Sequence, residues 1–141
     1  MSGECYENVP SKELTIKNMD AVLAYLPYFE NTKNVFFTTS DAWVDPYDFS
    51  PTVLDFIETL HEESFIGLYD LDKWQDEAVR YIEDPALLDK ADLETIRKLL
   101  TLHVRKDRLC GGHLADMIAC GQILAILQRL KAIRDEMAAK Q

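Results

Sequence analysis

Cysteine, histidine and arginine side chains gather between residues 103 and 120, around the run Arg108-Leu109-Cys110-Gly111-Gly112-His113. Cys110 and His113 form a Cys-x-x-His step, which is half of a common zinc site. Together with His103 and Cys120 they supply four zinc-type ligands at spacings of seven, three and seven residues. Such spacings are unusual for structural zinc, and buried Cys and His are also frequent structural residues, so the zinc interpretation competes with a structural one.

The thiol of Cys110 supports a second interpretation, as a nucleophile. A cysteine just before a helix start is stabilised as the thiolate by the helix dipole and by cationic neighbours, here Arg105, Lys106 and Arg108. His113 would then act as the base for a catalytic Cys110. The alternative is a small buried cysteine at a tight helix corner, because the sequence locates neither an orienting group nor an oxyanion pocket.

The two glycines support a third interpretation, as an anion site. Gly111, Gly112 and the free N–H groups at the start of the next helix would cradle the anion, and Arg105 and Arg108 would supply positive charge. Glycine and cationic residues also gather at ordinary helix ends, where they stop the helix and complement its dipole. The helix-end interpretation explains every residue of the run except His113.

The elements that position these residues follow from apolar spacing and capping signals. Helical patterns cover residues 18–26, ended or bent by Pro27, and then run from the cap-and-proline pair Ser50-Pro51 toward residue 64. Further helix starts are predicted at Asp72, at Asp84-Pro85 for a short turn through Leu88, and at Asp92 for a helix that ends at the glycines. Two more helices follow, one from about Leu114 to Gly121 and one over Ile123–Met137.

The expected fold is mainly α, a compact single-domain bundle of about five to seven helices with a small β-hairpin near residues 34–44. In that hairpin Asn34–Thr39 would pair with Ala42-Trp43-Val44, and the pair would have to lie against helices to be stable. Residues 1–13 are expected to be a flexible N-terminus and residues 14–141 the domain. The length of 141 residues suits one core.

Composition narrows the classes of function. The start of the chain lacks the basic and apolar segments of a secretory signal, which predicts a cytoplasmic protein with reduced cysteines. The apolar runs fall short of the roughly 20 residues that cross a bilayer, so we expect no membrane partner. A net charge of −10 disfavours general nucleic-acid binding.

The charge is unevenly distributed along the chain. Residues 1–91 hold 6 basic and 19 acidic side chains, whereas residues 92–141 hold 9 basic and 6 acidic ones. The C-terminal third would therefore either face an anionic partner or attract the rest of its own chain.

Other motifs are incomplete. His61-Glu62-Glu63-Ser64-Phe65 has phenylalanine where a zinc protease motif has its second histidine. There is no phosphate-binding glycine loop, dinucleotide fingerprint or nucleophile elbow.

Several runs of the C-terminal half are similar to those of an uncharacterised prokaryotic domain family of unknown function. They are Asp92–Leu100, His103-Val104-Arg105, Arg108, Cys110, Gly112-His113, Gly121-x-Ile123, Leu127, Arg129 and Leu130. Leu26–Phe29 and Trp74–Tyr81 resemble weaker blocks of that family. Leu109 departs from its pattern, which more usually has an aromatic residue there, and Gly111 stands where a polar or acidic residue is more usual. The resemblance implies no activity and no cofactor.

These observations favour a non-enzymatic protein-interaction or regulatory module that binds a protein partner or itself and has no cofactor. The observations behind this hypothesis are the absence of a complete catalytic signature, the broad apolar C-terminal helix and the polarised charge. The alternative is an enzyme, or a protein that binds a small anion or a metal such as zinc, with its site around Cys110, His113 and Arg105.

Overall fold

A computed structural model describes residues 13–39, 47–67, 69–109 and 111–140; of Leu109 only the backbone is described. Within these ranges the chain forms seven α-helices, one 3₁₀-helix and one two-stranded sheet, which confirms the mainly α architecture with a small hairpin. In chain order these elements are α1 (Ile16–Leu23), α2 (Leu26–Glu30), β1 (Phe37–Thr39), β2 (Tyr47–Phe49), α3 (Pro51–Glu62), α4 (Leu71–Glu83), the 3₁₀-helix (Pro85–Lys90), α5 (Leu93–Leu109), α6 (His113–Ala119) and α7 (Gln122–Ala139).

Helix α1 begins earlier than its apolar spacing predicts. Thr15 is the cap, because its Oγ1 accepts a hydrogen bond from the Asn18 N–H at 3.3 Å and the Asn18 Oδ1 accepts one from the Thr15 N–H at 3.0 Å. Pro27 lies in the first turn of α2 and does not end a helix at 26. Proline is tolerated in a first turn because the N–H that it lacks has no intrahelical partner there.

The cap signals before α3, the 3₁₀-helix and α5 are confirmed. The Ser50 Oγ accepts from the Val53 N–H at 3.2 Å, and the Asp84 Oδ1 accepts from the Ala86 N–H at 3.2 Å. Asp92 caps α5 through a 2.8 Å bond from the Thr95 N–H. Helix α4 starts at Leu71, so Asp72 lies in its first turn and is not its cap.

We expect Asp92→Ala to lower the free energy of unfolding by about 1 kcal/mol at neutral pH. The hydrogen bonds from Thr95 are the main reason that the pKa of Asp92 is lowered from 3.8. A lowered folded-state pKa contributes stability that is present above 3.8 and is lost as the pH falls through the lowered folded pKa. Urea denaturation of both proteins at neutral pH and below pH 3.8 should therefore show the difference shrinking in acid. A difference that is the same at both pH values would contradict this.

The hairpin pairs different residues from those predicted. Strands β1 and β2 are antiparallel, with Phe37 opposite Phe49 and Thr39 opposite Tyr47. The predicted second strand, 42–44, falls in the stretch 40–46, which lies outside the described residues. As expected, the hairpin lies against helices, since Phe36 and Phe49 pack on the hydrophobic core.

Helix α7 contacts most of the other elements. It packs against α1, α2, the 3₁₀-helix, α5 and α6, and its buried apolar face is Ile123, Ile126, Leu127, Leu130 and Ile133. Fully buried side chains from the other helices complete this core, among them Met19, Phe56, Leu60, Ile96, Leu99 and Leu100. Among the described helices, none combines the length and apolar character that crossing a bilayer requires.

Candidate functional site

The corner between α5 and α6 is built on one glycine of the pair. Gly112 has a φ of +96°, and a Cβ added there would lie 2.5 Å from the Cε2 of Tyr47. Only glycine suits this position, because the left-handed backbone disfavours other residues and the Tyr47 ring occupies the space. A Cβ at Gly111 would meet no atom within 4 Å. The structure therefore requires a glycine at 112 and leaves room for a side chain at 111.

Asp107 ties the corner to α5. Its Oδ1 accepts a hydrogen bond from the Leu114 N–H at 3.0 Å, which satisfies one of the free N–H groups in the first turn of α6. The side chain that caps α6 therefore belongs to the preceding helix, because Gly112, at the cap position itself, has no side chain.

Two of the predicted site residues, His103 and His113, come together across this corner. The Nδ1 of His103 lies 3.0 Å from the Nε2 of His113, with the ring centroids 5.2 Å apart. His103 lies on the core stripe of α5 and is fully buried, whereas His113, the first residue of α6, is half-buried. The pair therefore joins the core to the surface.

Both imidazoles favour the neutral state. Burial, with smaller contributions from His113 and Lys106, lowers the pKa of His103 to about 3. Burial and Lys106 also lower the pKa of His113, while Asp107 and Asp116 oppose this shift. One nitrogen of the contact then donates and the other accepts. The Nε2 of His103 is buried and has no hydrogen-bond partner.

Arg105 is not brought to His113. It follows His103 by two residues, which places it about 200° around the helix. Its Nη2 donates to the Gly67 carbonyl at 2.6 Å, and its Nη1 lies 3.5 Å from the Tyr69 carbonyl. Arg108 is exposed in the last turn of α5. The described geometry therefore separates the histidine pair from the guanidinium of Arg105.

Arg105 belongs to a polar stripe that the sequence analysis missed. Arg97, Thr101 and Arg105 are spaced four residues apart on α5 and hold the segment that follows α3. The Nη2 of buried Arg97 donates to the Ser64 carbonyl at 2.7 Å, and the Thr101 Oγ1 accepts from the Gly67 N–H at 3.1 Å. The i, i+4, i+8 spacing of these polar side chains in the sequence indicates that one face of α5 is polar.

The structure describes one of the two cysteines of the predicted zinc set. Cys110 lies outside the described residues. Cys120 is exposed, with its Sγ 3.6 Å from the Met117 carbonyl, and it is seven residues beyond His113, about 10 Å along α6. In the described part of the chain no group of three or more His, Cys, Asp or Glu side chains is arranged to hold a metal ion.

An apolar groove opens beside α6 and α7. We call it the Phe36 groove; its volume is about 270 Å³, and it is lined by Phe29, Thr32, Phe36, Ile118, Ala119, Gly121 and Leu124. Val35, next to Phe36 in the chain, is 65% exposed, the highest exposure among the large apolar side chains described. A second groove, of about 360 Å³, lies between the 3₁₀-helix and α7.

Four arginines of the C-terminal third bind within the fold, namely those other than the exposed Arg108. Arg97 and Arg105 contact carbonyls as given above, and the Arg129 Nε donates to the Ala91 carbonyl at 2.8 Å. Arg134 pairs with Asp20 of α1 at 2.8 Å. These contacts agree with the alternative in which the basic third attracts the rest of its own chain.

The comparisons with known proteins identify a family and no activity. Neither a curated protein nor a solved structure matches this chain. The model of a family described as "Family of unknown function (DUF6508)" matches residues 14–136, which is most of the chain. The predicted resemblance to an uncharacterised domain family is therefore confirmed. The chain belongs to the DUF6508 family.

Proposed function

We propose that this chain is a non-enzymatic interaction module that binds a protein partner through the Phe36 groove. The observation that carries the proposal is an apolar concavity lined by Phe36, whose neighbour in the chain, Val35, is the most exposed large apolar side chain described. Protein interfaces gain most of their binding free energy from a few apolar or aromatic side chains that fill such pockets. We therefore expect a partner that inserts one such side chain.

The size and chemistry of the groove favour a partner side chain over a small molecule. Its volume of about 270 Å³ is below the roughly 300–1,000 Å³ of most small-molecule pockets. Thr32 supplies the only side-chain hydroxyl of the lining, whereas small-molecule sites combine apolar walls with several directing polar groups. The net charge of −10 favours a partner with a neutral or basic surface and disfavours general nucleic-acid binding.

The test is a charge placed at Val35, the neighbour in the chain of the groove residue Phe36. We expect Val35→Asp to abolish cross-linking to a partner captured by the wild-type chain in its own cells, because a carboxylate beside Phe36 would be desolvated on binding. Leu54→Asp is the matched control, since Leu54 is 54% exposed on α3 and neither it nor its neighbours in the chain line the groove. Light scattering on the same proteins distinguishes self-association from a different partner.

Two results would contradict the proposal. One is a monomer whose set of cross-linked proteins is the same for the wild type and Val35→Asp. The other is an equal loss of the partner in Val35→Asp and Leu54→Asp, which would assign binding to the acidic surface as a whole.

A second candidate is the enzyme, anion or metal site around Cys110, His113 and Arg105. One observation favours it: the imidazole of His113 is half-buried, so it meets both solvent and the buried ring of His103. The contacts of Arg105 with the Gly67 and Tyr69 carbonyls reduce the support for an anion held by that guanidinium. Of the three chemistries, metal binding retains the most support.

A further inference from the structure

We infer that His103 and His113 form a binding site for a divalent transition-metal ion of the zinc, cobalt or nickel class. This inference is independent of the Phe36 groove. Its starting observation is that two imidazole nitrogens lie 3.0 Å apart. They belong to different helices, one on either side of the corner at Gly112. Imidazole nitrogen is a preferred ligand of these ions and a poor ligand of magnesium.

The distance between the two nitrogens is close to that of a metal site. Zn–N bonds of about 2.0–2.1 Å at a tetrahedral angle place two ligand nitrogens about 3.3 Å apart. Metal binding therefore requires the two nitrogens to move apart by only about 0.3 Å, together with a rotation of one ring, because in the observed contact the nitrogens face each other and not a shared position beside them. His113 can provide this movement, because it is half-buried and begins a helix, whereas His103 is fixed in the core.

Two carboxylates act on His113, and one ammonium opposes them. Asp107, one turn after His103, and Asp116, one turn after His113, raise the pKa of His113, whereas Lys106 lowers it by more than either carboxylate raises it and also lowers the pKa of His103. Asp107 is held near the corner by its bond to the Leu114 N–H. Water can complete the coordination on the open side of His113, since no third His, Cys, Asp or Glu side chain among the described residues is placed to join the two rings.

The buried ring of His103 limits the affinity of this site for a metal ion. Coordination through the Nδ1 of His103 leaves the ring proton on Nε2, which is buried without a partner. Metal-bound histidines usually donate this proton to an oxygen, and losing that second contact weakens metal binding. We therefore expect the metal to bind more weakly than it does in a structural zinc centre, and the fold not to require it.

The experiment is calorimetric titration of the purified chain, freed of metal with a chelator, with zinc chloride and with magnesium chloride. We expect about one zinc ion per chain and no magnesium. His113→Ala should weaken zinc binding about tenfold or more. His61→Ala and Cys120→Ser should not, since His61 is exposed on α3 and Cys120 is exposed beyond α6. Circular dichroism checks that the variants are folded.

A second measurement does not depend on variants. Zinc should shift the ring ¹⁵N signals of His103 and His113 in the NMR spectrum and leave those of His61 unchanged. Equal zinc affinity in His113→Ala and His61→Ala, or ring signals that zinc does not move, would overturn the inference.

Discussion

Replacing Gly112 with alanine should destabilise the protein by about 2–5 kcal/mol. Two costs add at this position. An L-residue at a φ of +96° costs about 1–2 kcal/mol, and a Cβ placed 2.5 Å from the Tyr47 ring costs about 1–3 kcal/mol more. The free energy of unfolding from urea denaturation measures the sum.

The other glycines separate the two costs. Gly121 has a φ of +89° but no atom within 4 Å of an added Cβ, so Gly121→Ala should show only the backbone cost. Gly111→Ala should show neither. In a Tyr47→Ala background, Gly112→Ala should show only its backbone cost. Equal destabilisation by Gly111→Ala and Gly112→Ala would contradict this account of the corner.

Arg97→Met should lower the free energy of unfolding by about 2–4 kcal/mol. The Arg97 side chain is buried, its Nη2 donates to the Ser64 carbonyl at 2.7 Å, and its Nη1 lies 3.7 Å from the Glu94 carboxylate. Methionine fills a similar volume but donates nothing, so the Ser64 carbonyl loses a charged donor in a partly buried setting. Thermal and urea denaturation measure the loss.

Arg134→Met is the matched control, because Arg134 also bonds an oxygen of a distant element, Asp20 at 2.8 Å, but does so in solvent. Exposed ion pairs contribute little to stability, so this variant should unfold at nearly the wild-type urea concentration. Comparable losses in the two variants would show that burial does not decide the role of Arg97.

The features that the sequence predicted best are those that depend on neighbouring residues, such as helix caps. The caps at Ser50, Asp84 and Asp92 each involve a bond to an N–H two or three residues ahead. The start of α1 was less clear, because Thr15 precedes the apolar stripe and only its reciprocal bonds with Asn18 identify it as the cap. Local signals of this kind need no knowledge of the tertiary structure.

Contacts between distant segments were not predictable in the same way. Residues 40–46 separate the two strands, so the pairing of Phe37 with Phe49 depends on packing against helices and not on a two-residue turn. The spacing of Arg97, Thr101 and Arg105 is visible in the sequence, but their partners, backbone groups of Ser64 and Gly67, come from more than 30 residues earlier in the chain.

The candidate site was predictable in part. The apolar spacing of α5 placed His103 on the core stripe, where it is buried, and the glycines placed His113 just after the corner. That the two rings meet depends on the turn between the helices, in which Gly112 adopts a positive φ and Asp107 bonds to the Leu114 N–H. The role of Cys110 stays a prediction.

The position of α7 in the fold has a consequence for folding during synthesis on the ribosome. Helix α1 packs against α7, although about 100 residues lie between them in the chain, and α2, the 3₁₀-helix, α5 and α6 share the same partner. Until residues 122–139 have left the exit tunnel, the parts of these five elements that face α7 therefore stay uncovered. The nascent chain exposes that apolar surface to aggregation throughout the interval, and this part of the core closes only once α7 is available.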